Sequence, residues 1–170
     1  MTAQIYESLH YQGENLPLCT NPLDSYFAFG GARPDFADTS TALWRGYVGR
    51  WDIVDGRLYM VGLSATLVDG RPATLDTVFP GCGARVFAHW YTGTLRVPQG
   101  RQLKYVHMGY GSVHERDLLI DVVRGVVTGT RWRVNGVADG EGGPQGWGMA
   151  AFTEMQVHKG PDAPRGGDGS

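Results

Sequence analysis

The sequence predicts a mainly β protein: an antiparallel sandwich or partly open barrel, built from hairpins and a four-strand meander, with one to three short helices. Three observations carry this. Glycine is abundant, 26 of 170 residues, and much of it stands in turn dipeptides between short alternating runs. The run "WDIVDGRLYM" centres on Asp55-Gly56, a residue pair favoured in two-residue type I′ hairpins. Helix signals are sparse.

Taken in chain order, "NPLDSYFAF" offers Asn21 as a cap and Pro22 at the first helical position, which predicts one or two helical turns. The Asp55-Gly56 hairpin extends back to about Trp44 and forward to about Leu67. Its register sets Ile53 opposite Leu58 and Trp51 opposite Met60 on one apolar face. "ATLDTVF" and "GARVFAHWY" fit either a short helix or a strand, and the helix reading is adopted for their cores. A second β block runs from Thr92 to about Val134. In it "TGTLRV" is a strand, "PQG" a turn, "RQLKYVHM" a strand, "GYGS" a corner and "VHERDLLIDVV" a strand, and Arg124-Gly125 turns into "VVTGTRWRV". Residues 135–147 read as a glycine-rich loop, with Trp147 anchoring its end, and "GMAAFTEMQV" as a last strand. Residues 1–158 are expected to form a single β-rich domain and 159–170 a disordered tail.

Bulk properties remove several function classes. A net charge of -2 and a pI near 6.2 supply no basic stripe for nucleic acid. No run of 18 apolar residues is present, so no membrane span is expected. The first residues, "MTAQIYESLHYQGENLPL", have neither a basic start nor an apolar stretch of the kind that directs secretion, so residence in the cytoplasm is expected. Cys19 and Cys82 stand alone, without metal-ligand spacing, and free thiols are expected in a reducing compartment.

Candidate chemistry concentrates in "YVHMGYGSVHERDLLIDV", residues 105–122. Counted as a tight hairpin, it sets His107 opposite His114, Tyr105 opposite Arg116 and Leu103 opposite Leu118. The apolar face then ends at the corner in Tyr105, His107, His114 and Arg116, while Lys104, Glu115, Asp117 and Asp121 point to solvent. His89, in "HWY", is a further histidine that folding could bring to this rim. A guanidinium there suits a carboxylate or phosphate, and a histidine suits a general base. The plainer alternative is an ordinary turn with its polar side chains in water. No third ligand lies near the histidine pair, so no metal and no cofactor are expected. Cys19, close to a helix start, and Cys82, in a glycine corner beside Arg85, are the candidate nucleophiles. Five Trp and eight Tyr serve mostly as core, and exposed ones could form a carbohydrate or partner surface.

The strings "WRGYVGRWDIVDGRLYMVGL" and "VFAHWYTGTLRVPQGRQLKYVHMGYGSVHERDLLI" resemble a group of uncharacterised small bacterial β-rich proteins over about residues 15–130. That group has no established activity, so the resemblance implies bacterial origin and cytoplasmic residence and transfers no catalytic role. Lipocalin-like β proteins also begin with Gly-x-Trp, matched here by Gly49-Arg50-Trp51. The expected function is a non-enzymatic binding or interaction module that recognises a partner protein or a small anionic ligand at the hairpin rim. The alternative is a small hydrolase or transferase with a histidine general base. The oligomeric state is not set by the sequence.

Overall fold

In a computed structural model of the chain, residues 3–106, 109–136 and 153–158 are described, the last six as backbone alone. Strand β1 (Glu7–Tyr11) turns into β2 (Glu14–Leu18) through Gln12-Gly13, whose φ angles of 51° and 82° make a type I′ turn. Helix α1 (Pro22–Ala28) follows. Strands β3 (Tyr47–Val54) and β4 (Arg57–Thr66) form the hairpin the sequence predicts. Asp55 and Gly56 take φ of 51° and 75°, Ile53 faces Leu58, and Trp51 faces Met60. After β5 (Pro72–Ala73), α2 (Leu75–Val78) and β6 (Val86–Phe87) come three long strands, β7 (Gly93–Lys104), β8 (Val113–Val123) and β9 (Val126–Val134). β10 (Thr153–His158) adds antiparallel to β9.

The sheet order is β2-β1-β3-β4-β9-β8-β7, with β5 and β6 lying on β4. Pairing is antiparallel except between β1 and β3, which run parallel with Leu9 opposite Trp51. The sheet is therefore mixed. It curls until β2 and β7 approach, and Arg96 makes the join. Cys19 N–H donates to its carbonyl at 2.9 Å, and its own N–H donates to Thr20 Oγ1 at 3.0 Å. No ladder forms between these edges among the described residues, so the barrel stays open along this seam. The concave face is the core: Leu9, Leu18, Trp51, Leu58, Met60, Leu95, Val97 and Ile120 are buried there, and the helices add Leu23, Leu75 and Val78. Trp90 stacks on Phe79 at 5.5 Å and ties down the start of α1 by donating Nε1–H to Pro22 O at 2.9 Å.

Four expectations are corrected. "PQG" is not a turn: β7 runs through it, taking up Gly100 (φ 81°) with register shifts between Gln99 and Lys104. Pro98, without an N–H, is tolerated because β7 ends the sheet order. The four-strand meander expected between 92 and 134 is therefore three strands. "GARVFAHWY" holds the short strand β6 and no helix. Asn21 precedes α1 as expected but makes no side-chain cap bond. The glycine-rich segment from 137 to 147, Trp147 and the tail from 159 lie outside the described residues.

Candidate functional site

Because β7 continues to Lys104, the stretch 105–112 is not a tight corner. It is an eight-residue connection, of which His107 and Met108 lie outside the described residues, and its described part from Gly109 to Ser112 lies across the seam as a strap. Gly109 bridges to Ala3, and Gln4 N–H donates to Gly109 O at 2.9 Å. Tyr110 packs on Tyr6, with ring centroids 6.0 Å apart, and donates its hydroxyl to Asn21 Oδ1 at 2.6 Å. Val106 N–H donates to Ser112 Oγ at 2.9 Å. Arg96 clamps the strap from below, donating Nη1–H to Tyr110 O and Nη2–H to Ser112 O, both at 2.9 Å. Asp117 holds Arg96 in turn, with Nε 3.3 Å from Oδ1, and also accepts from Arg133 at 2.8 Å and Asn135 at 3.1 Å. Asp117 is 1% exposed, so its expected place on a solvated face is wrong: the strap covers that face.

A cavity of about 330 Å³ opens beside the strap. Gly109 and Tyr110 form one wall, Asn21 and Asp24 from the start of α1 another, and Gln4, Trp44 and Arg45 the third. Trp44 is 51% exposed, and its backbone N–H is fixed by Gln4 Oε1 at 2.7 Å. Asp24 is exposed and uses Oδ1 to accept the Tyr47 hydroxyl at 2.5 Å.

Arg45 is only 7% exposed and is held by charge and by rings. Its Nε–H donates to Glu7 Oε2 at 3.0 Å and its Nη2–H to Ile5 O at 2.8 Å. The Tyr47 and Tyr110 rings lie 5.5 and 5.9 Å from its guanidinium. Nη1 has no hydrogen-bond partner among the described residues. Glu7, 1% exposed, also accepts from Gly49 N–H at 2.8 Å and Trp51 Nε1–H at 2.7 Å. Burial pushes the Glu7 carboxyl above the usual range, while Arg45 and the two other donors pull against that shift. Three donors converging on two oxygens favour the carboxylate form. They also explain the glycine of Gly49-Arg50-Trp51, since a Cβ at Gly49 would stand 2.6 Å from Glu7 Oε1.

The residues singled out from sequence are not gathered here. Tyr105 lies half-exposed just beyond β7, and His107 lies outside the described residues. His114 pairs with Gln102 and Arg116 with Gln99, two and four residues respectively beyond the end of the strap at Ser112, and neither lines the cavity. Arg116 lies 5.7 Å from the Trp132 ring and 3.8 Å from Glu115 in an exposed ion pair. His114 is half-buried, and loss of water lowers its pKa, with the Arg96 charge adding to the shift and Asp117 opposing it. His89 is exposed, edge-on to Trp90 at 5.6 Å. The expected register of the hairpin therefore fails, and with it the facing of Tyr105 and Arg116.

Both cysteines are free. Burial pushes the Cys19 thiol up to about 11, outweighing the nearby Arg96, so it is not an activated nucleophile. Of the cavity residues, only Gly109 and Tyr110 belong to the stretch the sequence highlights. Asn21 carried a signal that was assigned to capping. Trp44-Arg45, an aromatic and a cation just before a strand, had no pattern to separate them from core and surface. No family model, curated protein or solved structure matches the chain.

Proposed function

We propose that this protein is a non-enzymatic binding module that takes a small molecule in the cavity beside the strap. The observation that carries the reading is the cavity itself, about 330 Å³ and lined by the buried Arg45 beside the exposed Asp24 and Trp44. Four separate chain segments converge to build the walls, which is the expected form of a small-molecule site. Support for the catalytic alternative is weaker: among the described residues no histidine lines the cavity, and Cys19 is held protonated. Among the described residues no helix is long and apolar enough to cross a membrane, and two free thiols support a reducing cytoplasmic setting.

A thermal-shift screen of a metabolite library against the wild type and Trp44→Ala tests this. A true ligand at about 100 times its Kd adds roughly 2.7 kcal/mol, or about 5–10 °C for a chain of this size. The expected result is a compound that raises the wild-type Tm by several degrees and the variant's by much less. Compounds that act equally on both, or a screen in which nothing shifts, would overturn the reading.

A further inference from the structure

Resting on that reading, we propose that the cavity takes a neutral, hydroxyl-rich ring about the size of one sugar unit. Charge does not favour the anion expected from sequence. Within the lining Arg45 and Asp24 offset one another, and Glu7 behind the wall is already paired with Arg45, so the site carries no net positive charge to draw a phosphate or carboxylate. Hydrogen-bonding capacity is mixed. Asn21 Nδ2 offers a donor and Asp24 Oδ2 an acceptor, since Asn21 and Asp24 use only their Oδ1 atoms internally among the described residues. A hydroxyl both donates and accepts, so one ring bearing several can meet both. The exposed Trp44 indole supplies an apolar face for the C–H side of such a ring. The volume, about 330 Å³, lies at the lower end of ligand pockets, which run to about 1,000 Å³.

The test follows the indole N–H resonance of Trp44, assigned by Trp44→Phe, in ¹⁵N-labelled protein. Methyl glycosides of glucose, galactose and mannose are titrated beside glucose 6-phosphate and glucuronate. The expected result is a saturable shift with at least one neutral glycoside, weakened about tenfold or more by Asp24→Asn. That variant keeps an Oδ1 acceptor for Tyr47 and so retains the fold. Binding of the anionic sugars as tight as the neutral ones, or glycoside binding untouched by Asp24→Asn, overturns the ligand class. So does a silent panel when some other compound still needs Trp44 to bind, and in that case the binding module itself stands. Silence from the panel and from the library together overturns both.

Discussion

The Glu7 to Arg45 pair offers the sharpest test of how the cavity floor is held. Glu7→Gln keeps the side-chain shape but replaces one carboxylate oxygen with an amide that can only donate. If the remaining oxygen stays with Trp51 Nε1, the amide faces the Gly49 N–H and the Arg45 Nε–H, two donors that now lack an acceptor. Arg45, at 7% exposure, keeps its charge with no counterion. Breaking a buried pair on one side costs about 3–5 kcal/mol, a large part of the roughly 5–15 kcal/mol that holds a domain folded. For a chain of this length that is a fall in Tm of about 6–20 °C. Urea denaturation of both proteins, with equal m-values, gives the difference directly. A second variant, Glu7→Gln with Arg45→Met, removes the stranded charge as well and should recover part of the loss, because an ion pair replaced as a unit by neutral groups is often close to neutral. A loss below about 1 kcal/mol for the single variant would refute the reasoning, since it is the size of an exposed pair. So would a double variant less stable than the single one.

Two further outcomes follow from the clamp beneath the strap. Asp117→Asn should cost about 3 kcal/mol, at the low end because Arg96 and Arg133 keep some contact with water. Hydrogen exchange should accelerate more at the Gln4 and Val106 amides, which the strap holds, than at the β3–β4 ladder, and equal acceleration everywhere would refute the clamp. His114 has a folded pKa below its unfolded value, so the unfolded chain takes up the proton more readily. Its contribution is therefore present above about pH 6.5 and is lost as the pH falls. His114→Gln should lose less stability between pH 7 and 5 than the wild type, and parallel curves would show that burial of this ring carries no such linkage.

What was legible in the sequence was whatever local turn chemistry dictates. Asp55-Gly56 set the β3–β4 register because a type I′ turn leaves little choice of pairing, and Pro22 marked the start of α1 because proline suits the first helical position. Gln12-Gly13 makes the same kind of turn but went unread, since its flanking residues, with Glu14, Asn15 and Pro17, lack the apolar alternation of a strand. Pro98 and Gly100 resemble a turn, and the pattern gives no way to know that β7 is an edge strand able to absorb both. Taken as a turn, they shift the partners of Tyr105, His114 and Arg116 and give the expected rim. The burial of Asp117 and Glu7 was illegible for another reason. Alternation assigns a side chain to a face, but whether that face meets water depends on segments distant in sequence, here the strap for Asp117 and Arg45 for Glu7. The cavity shares that property, since its walls come from residues 4, 21 to 24, 44 to 45 and 109 to 110.

The seam has a meaning in time as well as in space. Tyr110 and Ile5 meet across a separation of 105 residues, while the β1–β2, β3–β4 and β8–β9 hairpins close over short loops. Contacts so distant in sequence are made only after a large loss of chain entropy, and they slow folding relative to local pairing. During synthesis at about 5–20 residues per second, the first strand waits some 5–20 s before its strap exists. The cavity is thus closed later than the local hairpins, by residues that the ribosome makes early and in mid-chain. If the cavity binds as proposed, binding competence reports complete folding, because a chain with every hairpin formed but the seam unstrapped lacks the wall that Gly109 and Tyr110 supply.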